Sequence, residues 1–137
     1  MKKLKKLALN QNHITDIVEF TFNGFANLQE LDLHDNRIAE INKNVFHGLL
    51  SLKVLDLSHN EITELSEHVF KGLYSLFKLD LRGNNISEVN ANTFYPLKKL
   101  QTLLLGANKL NKCSFICFRS LQNLCLNNYT LNIFYEY

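Results

Sequence analysis

The chain has 137 residues, 46% of them hydrophobic and 20% charged, with a formal net charge of +2 at pH 7. That composition suits one continuous soluble core, without a linker, a low-complexity stretch or a second domain. The near-neutral balance gives no reason to expect nucleic acid as a partner. No apolar run is long enough for a signal peptide or a membrane span, because the first residues, MKKLKKLALN, already belong to a repeat.

The repeat begins at Leu4 and returns at Leu28, Leu52, Leu76 and Leu100, twenty-four residues apart each time. Aligned on that leucine the units read LKKLALNQNHI, LQELDLHDNRI, LKVLDLSHNEI, LFKLDLRGNNI and LQTLLLGANKL. A fixed period of this size marks a solenoid of stacked units. Within each unit the alternation of Leu7-Ala8-Leu9, Leu31-Asp32-Leu33 and Leu55-Asp56-Leu57 has period two, the signature of a short strand with leucines on one face. Such strands must run parallel from copy to copy, and each is too short to be stable alone. At about 1.5–3 kcal/mol for each fully buried large apolar side chain, the four or five in a unit are enough to drive stacking.

Further columns follow each strand. Asn12, Asn36, Asn60, Asn84 and Asn108 are the polar members of an otherwise apolar list. A buried bend exposes backbone donors and acceptors that need partners, and Asn supplies both on a short stem, whereas ionised Asp has no donor. An interior asparagine ladder is expected. Ile14, Ile38, Ile62, Ile86 and Leu110 come two residues later, and Phe22, Phe46, Phe70, Phe94 and Phe118 form a column on the return path. That path carries only a short F-x-[GP]-[FL] turn at Gly24, Gly48, Gly72 and Pro96, so loops or 3₁₀ segments are expected on the convex side.

Adding twenty-four once more carries Leu100, Asn108 and Leu110 onto Leu124, Asn132 and Phe134. This unbroken register keeps most columns, although Asn127 falls at a leucine position. A rival register places Leu121, Leu124 and Leu126 in the strand. On the unbroken register, residues 1–137 form one solenoid of about five full repeats, with a partial sixth at 124–137 and no cap at either end, as expected of an internal piece of a longer array. Lys2, Lys3, Lys5 and Lys6 suit an edge strand that must deter pairing. Cys113 and Cys117 replace small hydrophobes of the repeat. Cys125 falls on the strand face, where it is either free or paired, and the three match no compact zinc pattern. Two N-x-[ST] sequons, at Asn85 and Asn128, are candidate glycosylation sites.

Residues between the leucines line the open sheet. Asp32, Asp56 and Asp80 form its central column, with Lys78 on one side and His34, Ser58 and Arg82 on the other. The row of aspartates either docks a basic patch or simply suits this place in the repeat. Phe77 is the large aromatic expected on the open face and the best candidate for a binding anchor. His34 with Asp32, or His59 with Asp56, hints at a metal, but each pair lacks a third ligand, so no metal and no cofactor is expected. No nucleophile and base come together by spacing, so the chain is expected not to be an enzyme.

The phrase LxxLxLxxNxIxxIxxxxFxxLxx, nearly intact in Leu28–Ser51 and Leu52–Ser75, resembles the twenty-four-residue "typical" leucine-rich repeat of animal extracellular proteins. Toll-like receptors and related adhesion proteins are among them. The resemblance implies an α/β-type solenoid bent into a right-handed arc, with a parallel sheet on its concave face. It further implies a non-enzymatic protein-recognition module of an extracellular or cell-surface receptor, in a parent that can be membrane-anchored. Its partners would be a protein ligand or co-receptor bound on the concave or lateral face, with possible dimerisation. The alternative is a cytoplasmic scaffold or adaptor.

Overall fold

The computed structural model describes residues 3–110 and the backbone of a strand at 132–134. Six three-residue strands make one parallel sheet in chain order: β1 (Lys6–Ala8), β2 (Glu30–Asp32), β3 (Val54–Asp56), β4 (Lys78–Asp80), β5 (Thr102–Leu104) and β6 (Asn132–Phe134). From β1 to β5 the register advances by one repeat, so that Leu7, Leu31, Leu55, Leu79 and Leu103 pair in a row. The last four are buried, and Leu7, in the edge strand, is half-buried. The result is a β-solenoid with almost no helix. Among the described residues the helical component is one 3₁₀ helix, in keeping with the solenoid of strands, loops and 3₁₀ segments expected.

The sixth strand corrects the unbroken register. Thr102 pairs with Asn132 and Leu103 with Ile133, thirty residues apart instead of twenty-four. A twenty-four-residue step would pair Leu103 with Asn127, setting an amide in the leucine row, where an unpaired amide is costly. Asn127, the rival Leu121–Leu126 register, Asn128 and the three cysteines lie outside the described residues.

Each of β1 to β5 ends in the same left-handed step. Gln11, Asp35, His59, Gly83 and Ala107 have φ of 54°, 51°, 53°, 66° and 52°. This step turns the chain inward and aims the next side chain, the ladder asparagine, beneath the sheet. Asn60 is typical: its Nδ2 donates to the carbonyls of Leu33 (3.0 Å), Leu57 (3.1 Å) and Ser58 (3.3 Å). Its Oδ1 accepts from Ile38 N–H of the preceding turn at 3.1 Å. Asn36, Asn84 and Asn108 repeat the pattern, accepting from Ile14, Ile62 and Ile86. Exposed Asn12 only donates, to Leu9 and Asn10 carbonyls.

On the convex side Phe22, Phe46, Phe70 and Phe94 stack nearly parallel, with centroids 6.3, 6.2 and 5.8 Å apart. The turn after the first three uses glycine at φ of 93°, 88° and 97° (Gly24, Gly48 and Gly72). Pro96 in the fourth has φ locked near −65°. In this repeat the residues leading into the phenylalanine, Ala91–Phe94, form a 3₁₀ helix, with the Asn90 side chain accepting from Asn92 N–H.

Candidate functional site

The concave face is built from the residues that alternate outward from β2, β3 and β4. Parallel register sets Asp32 beside Asp56 and Asp56 beside Asp80. Each carboxylate is occupied locally. Asp32 Oδ1 accepts from His34 N–H at 3.1 Å and lies 2.6 Å from His34 Nδ1. Asp56 Oδ1 accepts from Ser58 N–H at 2.9 Å and from Ser58 Oγ at 2.6 Å. Asp80 accepts from Arg82 N–H and from its guanidinium, with Nη2 2.7 Å from Oδ2. Each residue two after an aspartate therefore holds that aspartate, which is why three carboxylates stand in one row without clashing.

The row is graded in depth. Asp32 is 37% exposed at its side chain and Asp80 only 3%. Ser58 is also buried. These two differ from the expectation of an exposed contact residue: bonding within the strand end withdraws both from the surface. Arg82, nearly half exposed, covers Asp80 and presents a cation there instead. Lys78 is half-buried beside it. At the sheet's other side Lys6 and Glu30 pair at 2.8 Å.

His34 stands just after β2, bonded to Asp32 and near Asp35. Its hydrogen bond to Asp32 holds the imidazolium pKa above its ordinary value, with Asp56 and Asp35 adding smaller attractions against the opposing cost of burial. Single atoms of Asp32, His34 and Asp56 all lie within 4.8 Å of one another. A third potential ligand thus does converge, contrary to the sequence expectation. The parallel partner Asp56 supplies it, a neighbour that pairing within one strand does not reveal. The other expected pair does not form a comparable group, because the His59 ring lies over Gly83, where a Cβ would stand 2.6 Å from Nδ1.

Phe77 lies one residue before β4, at the entry edge of the sheet and not on its open face, and is 44% exposed. It lines a groove of about 590 Å³ with Gln29, Glu30, Lys53, Val54, Lys99 and Gln101. Ser51 and Ser75 line the same groove, and the residues before them, Leu50 and Tyr74, are 58% and 53% exposed. The repeat pattern did not mark Leu50 and Tyr74; the available signal was a bulky apolar residue in a column otherwise holding Ala26 and Lys98. Asn85 is half-buried, while its column mates His13, Arg37, Glu61 and Lys109 are exposed.

A family model described as leucine rich repeat matches residues 2–62, 26–86, 50–110 and 78–131. The chain belongs to the leucine-rich repeat family. Among solved structures, a leucine-rich repeat protein of Leptospira interrogans is 29% identical with a TM-score of 0.80, over 97% of this chain and 31% of that one. The TLR13–ssRNA13 complex is 30% identical with a TM-score of 0.77, over 97% of this chain and 19% of that one. The leucine-rich repeat domain of APL1B is 28% identical, with a TM-score of 0.76 over 80% of this chain and 33% of that one. This chain therefore spans a third or less of each of these relatives. Among curated proteins none matches the chain in sequence. The neighbours include bacterial proteins as well as TLR13, so the likeness identifies the repeat without selecting one subtype. Leucine-rich repeat domains are generally protein-binding scaffolds without catalytic machinery.

Proposed function

We propose that this chain is the ligand-recognition portion of an extracellular or cell-surface receptor, of Toll-like or adhesion type. It binds a protein ligand or co-receptor through the concave sheet and the groove at its entry edge, and can bring two copies together. The observation that carries this reading is the groove around Phe77: an exposed aromatic ring between Lys53 and Lys99, continuous with the ordered polar face of β2 to β4. Aromatic anchors ringed by polar groups are the usual energetic centres of protein interfaces. The likeness to TLR13, solved as a ligand complex, supports a receptor. That ligand is an RNA, whereas here the aspartate row disfavours a phosphate backbone, so a protein is the better fit. The twenty-four-residue phrase and the Asn85 sequon support an extracellular parent.

The test screens the chain against matched panels of secreted and cytosolic proteins by surface plasmon resonance, with Phe77→Ala beside it. The expected result is a secreted or cell-surface partner whose affinity drops at least ~10-fold, about 1.4 kcal/mol, on removing the ring. Partners found only among cytosolic proteins, or binding indifferent to Phe77, would overturn the proposal.

A further inference from the structure

We propose that Asp32, His34 and Asp56 form a binding site for a divalent transition-metal cation of the zinc type on the concave face. The inference is independent of which macromolecule the solenoid recognises. Its first basis is convergence: one imidazole nitrogen and two carboxylate oxygens, from two paired strands, fall within 4.8 Å of one another. Metal–oxygen and metal–nitrogen bonds near 2.1 Å at tetrahedral angles place ligand atoms about 3.4 Å apart. Side-chain rotation alone therefore brings the three into range. His34 Nδ1 and Asp32 Oδ1 now stand 2.6 Å apart in a hydrogen bond that a cation would replace.

The second basis is the surrounding support. Metal-binding histidines almost always direct their other ring nitrogen at a carboxylate or carbonyl. His34 Nε2 lies 3.6 Å from Asp35 Oδ2, so the ring is flanked by carboxylates at both nitrogens. Both ligand carboxylates are also oriented from behind, Asp32 by His34 N–H and Asp56 by Ser58 N–H and Oγ. Among the described residues this arrangement occurs once, although the aspartate row has three members. The reason is the residue two positions on. After β4 it is Arg82, whose cation already neutralises Asp80, and after β3 it is Ser58, which brings no nitrogen ligand.

The donor set also selects the cation. Calcium asks for six to eight oxygens, and magnesium for a near-octahedral oxygen shell. One imidazole and two carboxylates with a solvent-facing side match a zinc site that keeps an open position. All three side chains are partly exposed, so the site loads without unfolding.

The experiment is histidine-selective NMR of the full chain during titration with zinc, calcium and magnesium, with isothermal titration calorimetry giving the affinities. The variants are His34→Gln, Asp56→Asn and Asp35→Asn, with His59→Gln as a control and circular dichroism verifying the fold of each. Expected are a first zinc equivalent that perturbs the His34 ring before His13, His47, His59 or His68, and no comparable response to calcium or magnesium. His34→Gln or Asp56→Asn should weaken that equivalent at least ~100-fold and Asp35→Asn ~10-fold, while His59→Gln leaves it unchanged. A first equivalent that persists in His34→Gln, that is taken by the cysteines with His34 unperturbed, or that calcium reproduces would overturn the proposal. So would the absence of zinc binding at tens of micromolar.

Discussion

Replacing Asn60 by Ala isolates the contribution of one rung of the ladder, because the surrounding groups are not equally dependent on it. Leu33 carbonyl accepts from both Asn36 and Asn60, and Leu57 carbonyl from both Asn60 and Asn84. Ser58 carbonyl also accepts from Asp35 N–H. All three acceptors keep a partner when Asn60 is truncated. Ile38 N–H does not: its acceptor is Asn60 Oδ1, and Ile38 is fully buried. An orphaned buried donor costs about 1–3 kcal/mol, and thinning three shared bonds adds roughly 1 kcal/mol more. The expected loss is therefore ~2–4 kcal/mol. With a urea m-value of about 2 kcal/mol/M, the unfolding midpoint followed by circular dichroism should fall by roughly 1–2 M. Asn12→Ala is the internal comparison, since exposed Asn12 accepts no hydrogen bond from a buried amide. It should cost at most ~0.5 kcal/mol, as surface changes do. Equal midpoints for the two variants would refute the assignment of the cost to Ile38 N–H.

Three further outcomes follow from the strand ends. Arg82→Ala leaves the Asp80 carboxylate with Arg82 N–H but without its guanidinium, a loss of ~1–3 kcal/mol by urea unfolding; Arg82→Ala/Asp80→Asn should recover part of it, and no recovery argues against a charge effect. His34 has a raised folded pKa, so its contribution to stability is complete below the ordinary imidazole value and is lost as pH rises through the folded one. Asp32→Asn should return the NMR titration of His34 toward the ordinary value and flatten stability across that window, and an unchanged titration would contradict the hydrogen-bond cause. In the left-handed column, Ala107→Gly should stabilise by ~0.5–1 kcal/mol in thermal melts, since a Cβ is strained at these φ values, and Gly83→Ala should destabilise by at least as much, since its Cβ would also press on the His59 ring. The same sign for both would remove backbone strain as the explanation.

The repeat made the scaffold legible because its columns are physical positions. A leucine every second residue can only face one side of a strand, and an asparagine beside an apolar list has few other uses than pairing buried backbone. Lateral contacts were harder to read. His34 and Asp56 are twenty-two residues apart and meet only because parallel register places neighbouring turns side by side. Burial of Asp80 and Ser58 depends on which side chain stands two residues further on, a local choice that the period does not encode. The sixth strand departed from the period: Leu103 pairs with Ile133, thirty residues on, where the repeat would place Asn127. Pro96 was grouped with three glycines by position, yet those glycines have positive φ, which proline's ring forbids.

The stacked phenylalanines have a mechanical consequence. Strands in a sheet are spaced about 4.8 Å apart, whereas the phenylalanine rings are 5.8 to 6.3 Å apart. Two rails of unequal pitch joined rung by rung must bend, and the rings form the longer, outer rail. Curvature is thus set by the offset spacing of the stacked rings against the narrower spacing of hydrogen-bonded strands. Every added turn swings the concave face by a similar increment, so the width of a partner that can be embraced scales with the number of turns, while the choice of partner remains free to vary along the inner rail.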